Sequence, residues 1–410
     1  MPERFDVVIV GGGIVGASIA YHLTAFGARS VALLERNAVA SQATSRAAAL
    51  LRHVRYKAEE TPLTRHTYDL IPKLEEDLGE SFGFRRTGGI HLVTSPERHA
   101  TLEQCVSAAA SAGIEVQWID TAAAKRHVPW LDAGSALAIA FTPSDGVIDP
   151  HAFAHAYARL ARRRGAVIRQ QAAVTGLLRS GHRVRGVQLG TESIEAAIVI
   201  DAAGAWASLL AWEAGFGLGM APVRSHYWIT TPDGGFPPSM PFVLMPDANV
   251  YVRPERGGLV IGLREAQSVS VDPRTLPPEL DGFQLSGGDD SHQLLVNGFP
   301  RLKPFFPELD KVRFQTFVEG LTTYTLDGRF LLGPVPGVDG FFAAAGCCGN
   351  GIAASGGIGR AMAELCLGRP AFADLAPFRL DRFGAIDPFD AEFRRQCATA
   401  RSTKFGAGRR

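Results

Sequence analysis

Residues 5–35 read FDVVIVGGGIVGASIAYHLTAFGARSVALLE, and this stretch decides the fold. Phe5 to Val10 is a short apolar run rich in β-branched residues, the pattern of a strand buried on both faces of a parallel sheet. The glycine turn that follows, Gly11-Gly12-Gly13-Ile14-Val15-Gly16, is a G-x-G-x-x-G. Gly11 makes the tight turn, Gly13 lets backbone approach a pyrophosphate, and Gly16 permits close helix–strand packing. A helical pattern then runs through Ala17, Ile19, Ala20 and Leu23 and returns past Gly27 to a second strand, Ser30 to Leu34, ending at Glu35. Phosphate charge is favoured at the helix N-terminus. A carboxylate at Glu35 accepts both ribose hydroxyls of an adenosine and repels a 2′-phosphate. Strand, turn, helix, strand and acid stand in register, so the expectation is an α/β fold with a dinucleotide site at Gly11, Gly13, Ile14, Val15, Gly16, Glu35 and Arg36. The fingerprint alone does not separate NAD from FAD.

Outside this unit, the composition is that of a globular chain of two or three domains: 410 residues, 46% hydrophobic and 20% charged. A disordered or fibrous protein is excluded. The formal net charge of +1 gives no general attraction to nucleic acid. Five scattered cysteines lack zinc-site or disulfide-frame spacing, so no metal is expected and a reduced, cytoplasmic setting fits. Neither a leader nor a membrane-spanning run is expected from the sequence.

Further along, residues 194–206 read IEAAIVIDAAGAW, an apolar strand ending in small residues that allow backbone to approach a ligand. Here the sequence resembles the D-amino-acid oxidase-like superfamily of FAD-dependent amine oxidoreductases. Three other segments carry the likeness: Arg86-Thr87-Gly88-Gly89-Ile90, Asp145 through His151, and Gly346 through Glu364. Within the superfamily, Gly320 through Arg329 and Asn350 through Gly359 are most similar to the sarcosine and dimethylglycine oxidase/dehydrogenase branch. The resemblance spans residues 5 to about 385 and implies FAD as cofactor. It also implies a glutathione-reductase-like, two-domain architecture: a Rossmann-like FAD-binding domain from residues 1–82, 145–218 and 326–385, and an antiparallel-sheet substrate domain from 83–144 and 219–325. Alternating runs such as His226-Tyr227-Trp228-Ile229-Thr230 and Val250-Tyr251-Val252-Arg253 are strand-like in their own right. Residues 386–410 are expected as a C-terminal tail, of which the arginine-rich part from Arg394 to Arg410 reads as solvated or frayed, with a role in assembly as the alternative.

The likeness extends to site residues. Thr44, Ser45 and Arg46 fall in what resembles a second FAD-contacting loop, Ala203, Gly204 and Trp206 near the FAD pyrophosphate, and Gly349, Asn350, Gly351 and Ile352 at a helix start that stabilises negative charge on reduced flavin, with Val174 a further expected cofactor contact. Arg46 stands where part of the dimethylglycine branch has a flavin-tethering histidine, and Thr322 where monomeric sarcosine oxidases have a tethering cysteine, so FAD is expected to be non-covalent. Arg52 resembles the arginine that grips a substrate carboxylate, a bidentate task that suits a guanidinium. The partner lysine of that family falls on Ala353, and the lysine linked to oxygen use falls on Val260. His226, Tyr227 and Tyr251 are expected on strands facing the flavin, where they hydrogen-bond or deprotonate an amine.

The implied activity is oxidation of the C–N bond of a secondary or tertiary amino acid, N-methylated or cyclic, by hydride transfer to FAD and imine hydrolysis. The electron acceptor is oxygen or another carrier. A 2-hydroxy-acid dehydrogenase of the same fold and a flavin subunit of a hetero-oligomeric amine or opine oxidase remain open alternatives, and the expected assembly is a homo- or hetero-oligomer. The folate-binding extension of mitochondrial-type dimethylglycine enzymes is not expected in this polypeptide.

Overall fold

The computed structural model describes residues 3–283, 285 and 290–404. Two mixed eight-stranded sheets organise it. The first has Glu3–Val10 at its centre, parallel to Val31–Leu34 on one side and to Glu192–Asp201 on the other. Val167–Arg169 extends it beyond Val31–Leu34, and Phe341–Ala345 lies parallel beyond Glu192–Asp201. An antiparallel hairpin, Gly176–Ser180 with Arg183–Leu189, and the edge strand Leu331–Pro334 complete it.

Helices cover both faces, which is why the central strand is apolar and buried from Val7 to Val10. On one face Ile14–Ala25, Thr61–Leu78, Pro150–Arg163 and Gly351–Cys366 pack around Ile9, Leu33, Phe153, Tyr157 and Ile358. On the other, Ala207–Glu213 closes over Val8, Ala32 and Val199. The close approach that the sequence assigns to Gly16 is explicit, since an added Cβ would stand 2.0 Å from the Gly11 carbonyl oxygen. Asp149 caps the Pro150–Arg163 helix by accepting from the N–H groups of His151 and Ala152 at 2.9 and 3.0 Å.

The second sheet runs Phe314–Thr325, Met220–Thr230, Gly258–Leu263, Val250–Glu255, Phe242–Met245, Gly89–Val93, Ala138–Thr142, Gln117–Trp118. All its junctions are antiparallel except that of Phe242–Met245 with Gly89–Val93, which is parallel, as the long connection between the two strands permits. Tyr227, Phe242, Leu244, Tyr251 and Val260 on one face pack with Ala48 and Leu50 of the first unit.

The C-terminal segment departs from the sequence expectation of a frayed tail. Residues 391–402 form a helix, Ala391–Ser402, capped by Asp390, which accepts from Phe393 N at 2.7 Å. Phe393, Cys397 and Ala398 are buried with Ala221, Val223, Tyr324 and Cys348. Phe393, Cys397 and Arg401 recur at helical spacing and make one buried stripe that the surrounding arginines mask in the sequence. Residues 405–410 lie outside the described residues.

Candidate functional site

One large cavity lies between the two sheets, enclosing about 2120 Å³ of atom-free space including its mouth. At one end it is lined by Gly11, Gly13, Ile14, Val15, Glu35, Arg36, Val174, Ala203, Gly204 and Trp206. Thr44 and Arg46 flank its middle, and Gly349, Asn350, Gly351 and Ile352 meet Arg52, Tyr227 and Tyr251 at the far end. Residues scattered over most of the chain thus converge on one space.

The glycine loop is built around Glu35. Its carboxylate accepts from Gly12 N at 2.6 Å and from Asn37 N at 2.9 Å, tying the end of the second strand to the turn after the first. Thr44 Oγ1 accepts from Ile14 N at 3.1 Å and so covers the helix start. The Arg36 guanidinium stacks 4.4 Å from the Trp206 ring centroid. Ser41 Oγ, Gln42 Nε2 and Trp206 Nε1 are buried on the cavity wall with no hydrogen-bond partner among the described residues. Orphaned buried donors beside a glycine loop and a helix N-terminus fit a polar dinucleotide such as FAD, which supplies the missing partners. Two expected cofactor residues do not line the space: Gly16 acts by packing beneath it, and Ser45 is exposed, its hydroxyl donating to the Ser41 and Gln42 carbonyls at 3.0 Å each.

Arg52 is positioned by local pairing. Leu50–Leu51 pairs antiparallel with Gly146–Val147, and Asp145 Oδ1 accepts from His53 N at 2.7 Å, so the residue between is fixed. Its side chain is buried and approaches Asn350 Oδ1 at 3.5 Å. Asn350 Nδ2 in turn donates to Glu60 Oε2 at 2.8 Å, and burial raises the Glu60 carboxyl pKa. The Gly351–Cys366 helix begins here, and the first N–H groups of any helix lack intrahelical acceptors.

Tyr227 and Tyr251 project from neighbouring parts of the second sheet onto the face that packs with Ala48 and Leu50. Gly262, opposite Tyr251, makes room for its ring. Burial holds both hydroxyls above the ordinary tyrosine range, Tyr251 at about 12, so they stay protonated at neutral pH.

His226 differs from the expectation that it joins them. Adjacent strand residues point to opposite faces, so His226 cannot share the face of Tyr227. It borders the cavity, but its ring packs with Trp228 and Phe317, Nε2 bonds the Leu263 carbonyl at 2.9 Å, and Nδ1 lies 3.4 Å from Glu265. Burial pushes its pKa down to about 4.

Three cations that the sequence reading missed also line the cavity: Arg264, Arg401 and Lys404. Arg401 lies 3.5 Å from Glu265, which with His226 and Arg224 forms a buried charge cluster. Burial lowers the Arg264 pKa to about 10. Lys404 Nζ donates to the Cys348 carbonyl at 2.5 Å and to Asn350 Oδ1 at 3.1 Å. The buried stripe of the last helix was the available signal for Arg401 and Lys404; Arg264 had none. No helix among the described residues is long and apolar enough to cross a membrane.

The chain is similar to known proteins. The chain is 29% identical to 4-methylaminobutanoate oxidase (formaldehyde-forming) of Paenarthrobacter nicotinovorans, over 93% of this chain and 46% of that protein. It is 29% identical to mitochondrial dimethylglycine dehydrogenase of Homo sapiens, over 93% of this chain and 45% of that one. The chain therefore spans about half the length of these two curated relatives. The crystal structure of glycine oxidase from Geobacillus kaustophilus superimposes with a TM-score of 0.77 at 27% identity, covering 93% of this chain and 99% of the other. A family model described as DAO, FAD dependent oxidoreductase, matches residues 6–365, and the chain belongs to that family.

Proposed function

We propose that the chain oxidises the C–N bond of a secondary or tertiary amino acid, N-methylated or cyclic, with FAD held non-covalently in the cavity. The observation that carries this reading is the far end of the cavity, where the buried Arg52 and the buried Tyr227 and Tyr251 line one space with the start of the Gly351–Cys366 helix. When bound, FAD supplies the two-electron acceptor for the hydrogen on the carbon next to nitrogen, and the imine left behind hydrolyses. The protein's part is to position and polarise.

Gly11, Gly13, Ile14, Val15 and the helix start behind them receive the pyrophosphate, Glu35 the ribose, and Arg36, Val174 and Trp206 flank the adenosine. Arg52 orients the substrate by its carboxylate, a guanidinium being matched to two carboxylate oxygens. The apolar wall of Ala48, Leu50 and Leu244 excludes water around the reacting carbon. Tyr227 and Tyr251, held protonated, donate or accept hydrogen bonds at the amine and do not act as full bases. His226 is tied to the Leu263 carbonyl through Nε2 and packs with Trp228 and Phe317, and is a supporting residue. The N–H groups of Gly351 and Ile352 favour negative charge next to them.

Support for the non-covalent link comes from the two side chains nearest in kind to a tether. Arg46 is bonded to the Ser41 and Gln42 carbonyls and pairs with Asp281, and burial pushes the Cys347 thiol up to about 12, leaving little thiolate. The names of two curated relatives point to N-methylated amines, which favours that substrate class here.

The test is anaerobic titration of the yellow holoprotein with N-methyl, cyclic and primary amino acids and 2-hydroxy acids. Bleaching by an N-methyl or cyclic amino acid, abolished in Arg52→Ala, is the expected result, and readmitting air then reports whether oxygen is the acceptor. Bleaching by a 2-hydroxy acid alone would overturn the amine reading. FAD that remains with the denatured chain on ultrafiltration would overturn the non-covalent one.

A further inference from the structure

We propose that Lys404, from the segment after the last helix, forms with Arg52 a two-cation clamp for the carboxylate of the substrate. This rests on the reading of the cavity as an amino-acid site and adds a residue beyond the 6–365 span of the family match.

Lys404 is not a loose terminal side chain. The Ala391–Ser402 helix that carries it is anchored by Phe393, Cys397 and Ala398 in the apolar cluster around Tyr324. Arg401 donates to Ser268 Oγ at 2.7 Å, and Ser402 Oγ accepts from Ser268 N at 2.8 Å, so the residues just before Lys404 are fixed on two sides. Its ammonium reaches the cavity between Gly349 and Asn350.

The convergence is on one atom. Asn350 Oδ1 lies 3.1 Å from Lys404 Nζ and 3.5 Å from Arg52 Nη2, so both cations already surround a single oxygen. An ammonium has three donors. Two are directed at neutral acceptors, Cys348 O and Asn350 Oδ1, and one remains for an oxygen in the cavity.

Charge balance points the same way. Arg52, Arg264 and Lys404 line this end, and the carboxylate acting on Arg52 and Lys404, Glu60, sits behind Asn350 and is shared with Arg55. Burial and the neighbouring Arg264 and Arg52 guanidiniums hold the Lys404 pKa well below its ordinary value, a stress that an anion between the cations relieves. Cations gathered around one buried oxygen favour an anionic ligand beside them.

The experiment compares Lys404→Met, Lys404→Gln and Lys404→Arg holoproteins with the parent. Acetate and succinate are titrated while the visible flavin band is followed, and reduction is measured with N-methylglycine and with N-methylpropylamine, which lacks the acid. The expected result is a weakening of acetate and N-methylglycine binding by about 10- to 100-fold in the Met and Gln variants. Arg should restore most of it, while N-methylpropylamine, FAD content and melting temperature stay unchanged. Lys404 also supports the turn at Cys348, whose φ is +48°, so a purely structural role would lower FAD content and affect the two amines equally. That outcome overturns the proposal, as does a parent protein whose flavin band ignores carboxylates. If carboxylates bind through Lys404 and no amino acid bleaches the flavin, the clamp stands and the proposed reaction fails.

Discussion

Gly262→Ala is the substitution whose effect the structure defines most sharply. Gly262 lies directly across from Tyr251 in the second sheet, and an alanine Cβ would stand 2.0 Å from Tyr251 Cε1, 2.1 Å from Cζ and 2.6 Å from the hydroxyl oxygen. Carbon atoms pack at about 3.5–4.0 Å, so the ring must move by roughly 1.5 Å or more. Tyr227, Phe242, Leu244 and Val260 pack in the same cluster. Overpacking of this kind costs about 1–3 kcal/mol. A displacement of that size in a positioning side chain lowers the rate of substrate-driven flavin reduction by about 10²-fold. FAD content should not change, because the glycine loop lies at the other end of the cavity. Urea unfolding gives the stability change, and anaerobic stopped-flow gives the rate. A double-mutant cycle makes the cause explicit. Tyr251→Ala alone costs about 3–5 kcal/mol through the cavity it leaves. In that background Gly262→Ala should cost almost nothing, whereas in Tyr251→Phe, which keeps Cε1 and Cζ, the clash should persist. Additivity of the two substitutions within about 0.5 kcal/mol would refute the reasoning.

Other perturbations reach other parts of the molecule. Glu35→Gln replaces one acceptor of the Gly12 and Asn37 N–H groups with a donor, and should weaken FAD binding about tenfold or more and lower the melting temperature; unchanged affinity in a fluorescence titration would remove Glu35 from the site. Asp201 is buried, its Oδ2 has no hydrogen-bond partner among the described residues, and burial raises its pKa to about 7. A raised carboxyl pKa means the folded state holds the proton longer than the unfolded one, so stability is lost as pH rises. The advantage of Asp201→Asn over the parent should therefore grow by about 1.4 kcal/mol per pH unit between pH 4 and 7 and level off above, and a difference independent of pH would contradict this. Arg401→Met leaves Glu265 buried without that cation and should cost about 3–5 kcal/mol, with earlier proteolysis of the last helix; a change within error in urea would show the cluster contributes nothing.

What the sequence revealed about fold and site followed a physical division. The Gly11–Glu35 unit was legible because its information is local: each glycine answers to a neighbour within one turn, and the strand and helix periods are read directly. Tyr227 and His226 show where reading stopped short. Period two forces adjacent strand residues to opposite faces, so their parity already forbade a shared face, but what each side chain packs against depends on strands paired from far along the chain. The parallel junction between Phe242–Met245 and Gly89–Val93 was likewise invisible, since it joins segments about 150 residues apart. Arg264 was missed because a cation just past an apolar strand carries no mark of the cavity it enters, and Lys404 because it lies beyond the helical stripe that was its one signal. That information lies in the docking of Phe393 and Cys397, not in the residues themselves.

The interleaved strand order also dictates when the molecule can exist at all during synthesis. Glu3–Val10 emerges first, yet its partner Glu192–Asp201 follows almost two hundred residues later, and the strand beyond that, Phe341–Ala345, later still. Pairings of such separation delay folding, because loop-closure entropy must be overcome before native contacts form. The apolar first strand therefore waits on the ribosome beside Val31–Leu34 alone, exposed to mispairing. Closure of the cavity waits for the Ala391–Ser402 helix, which docks against Tyr324. Flavin retention is thus a readout of synthesis through the Ala391–Ser402 helix, and chains arrested before residue 390 should be both colourless and the natural clients of chaperones.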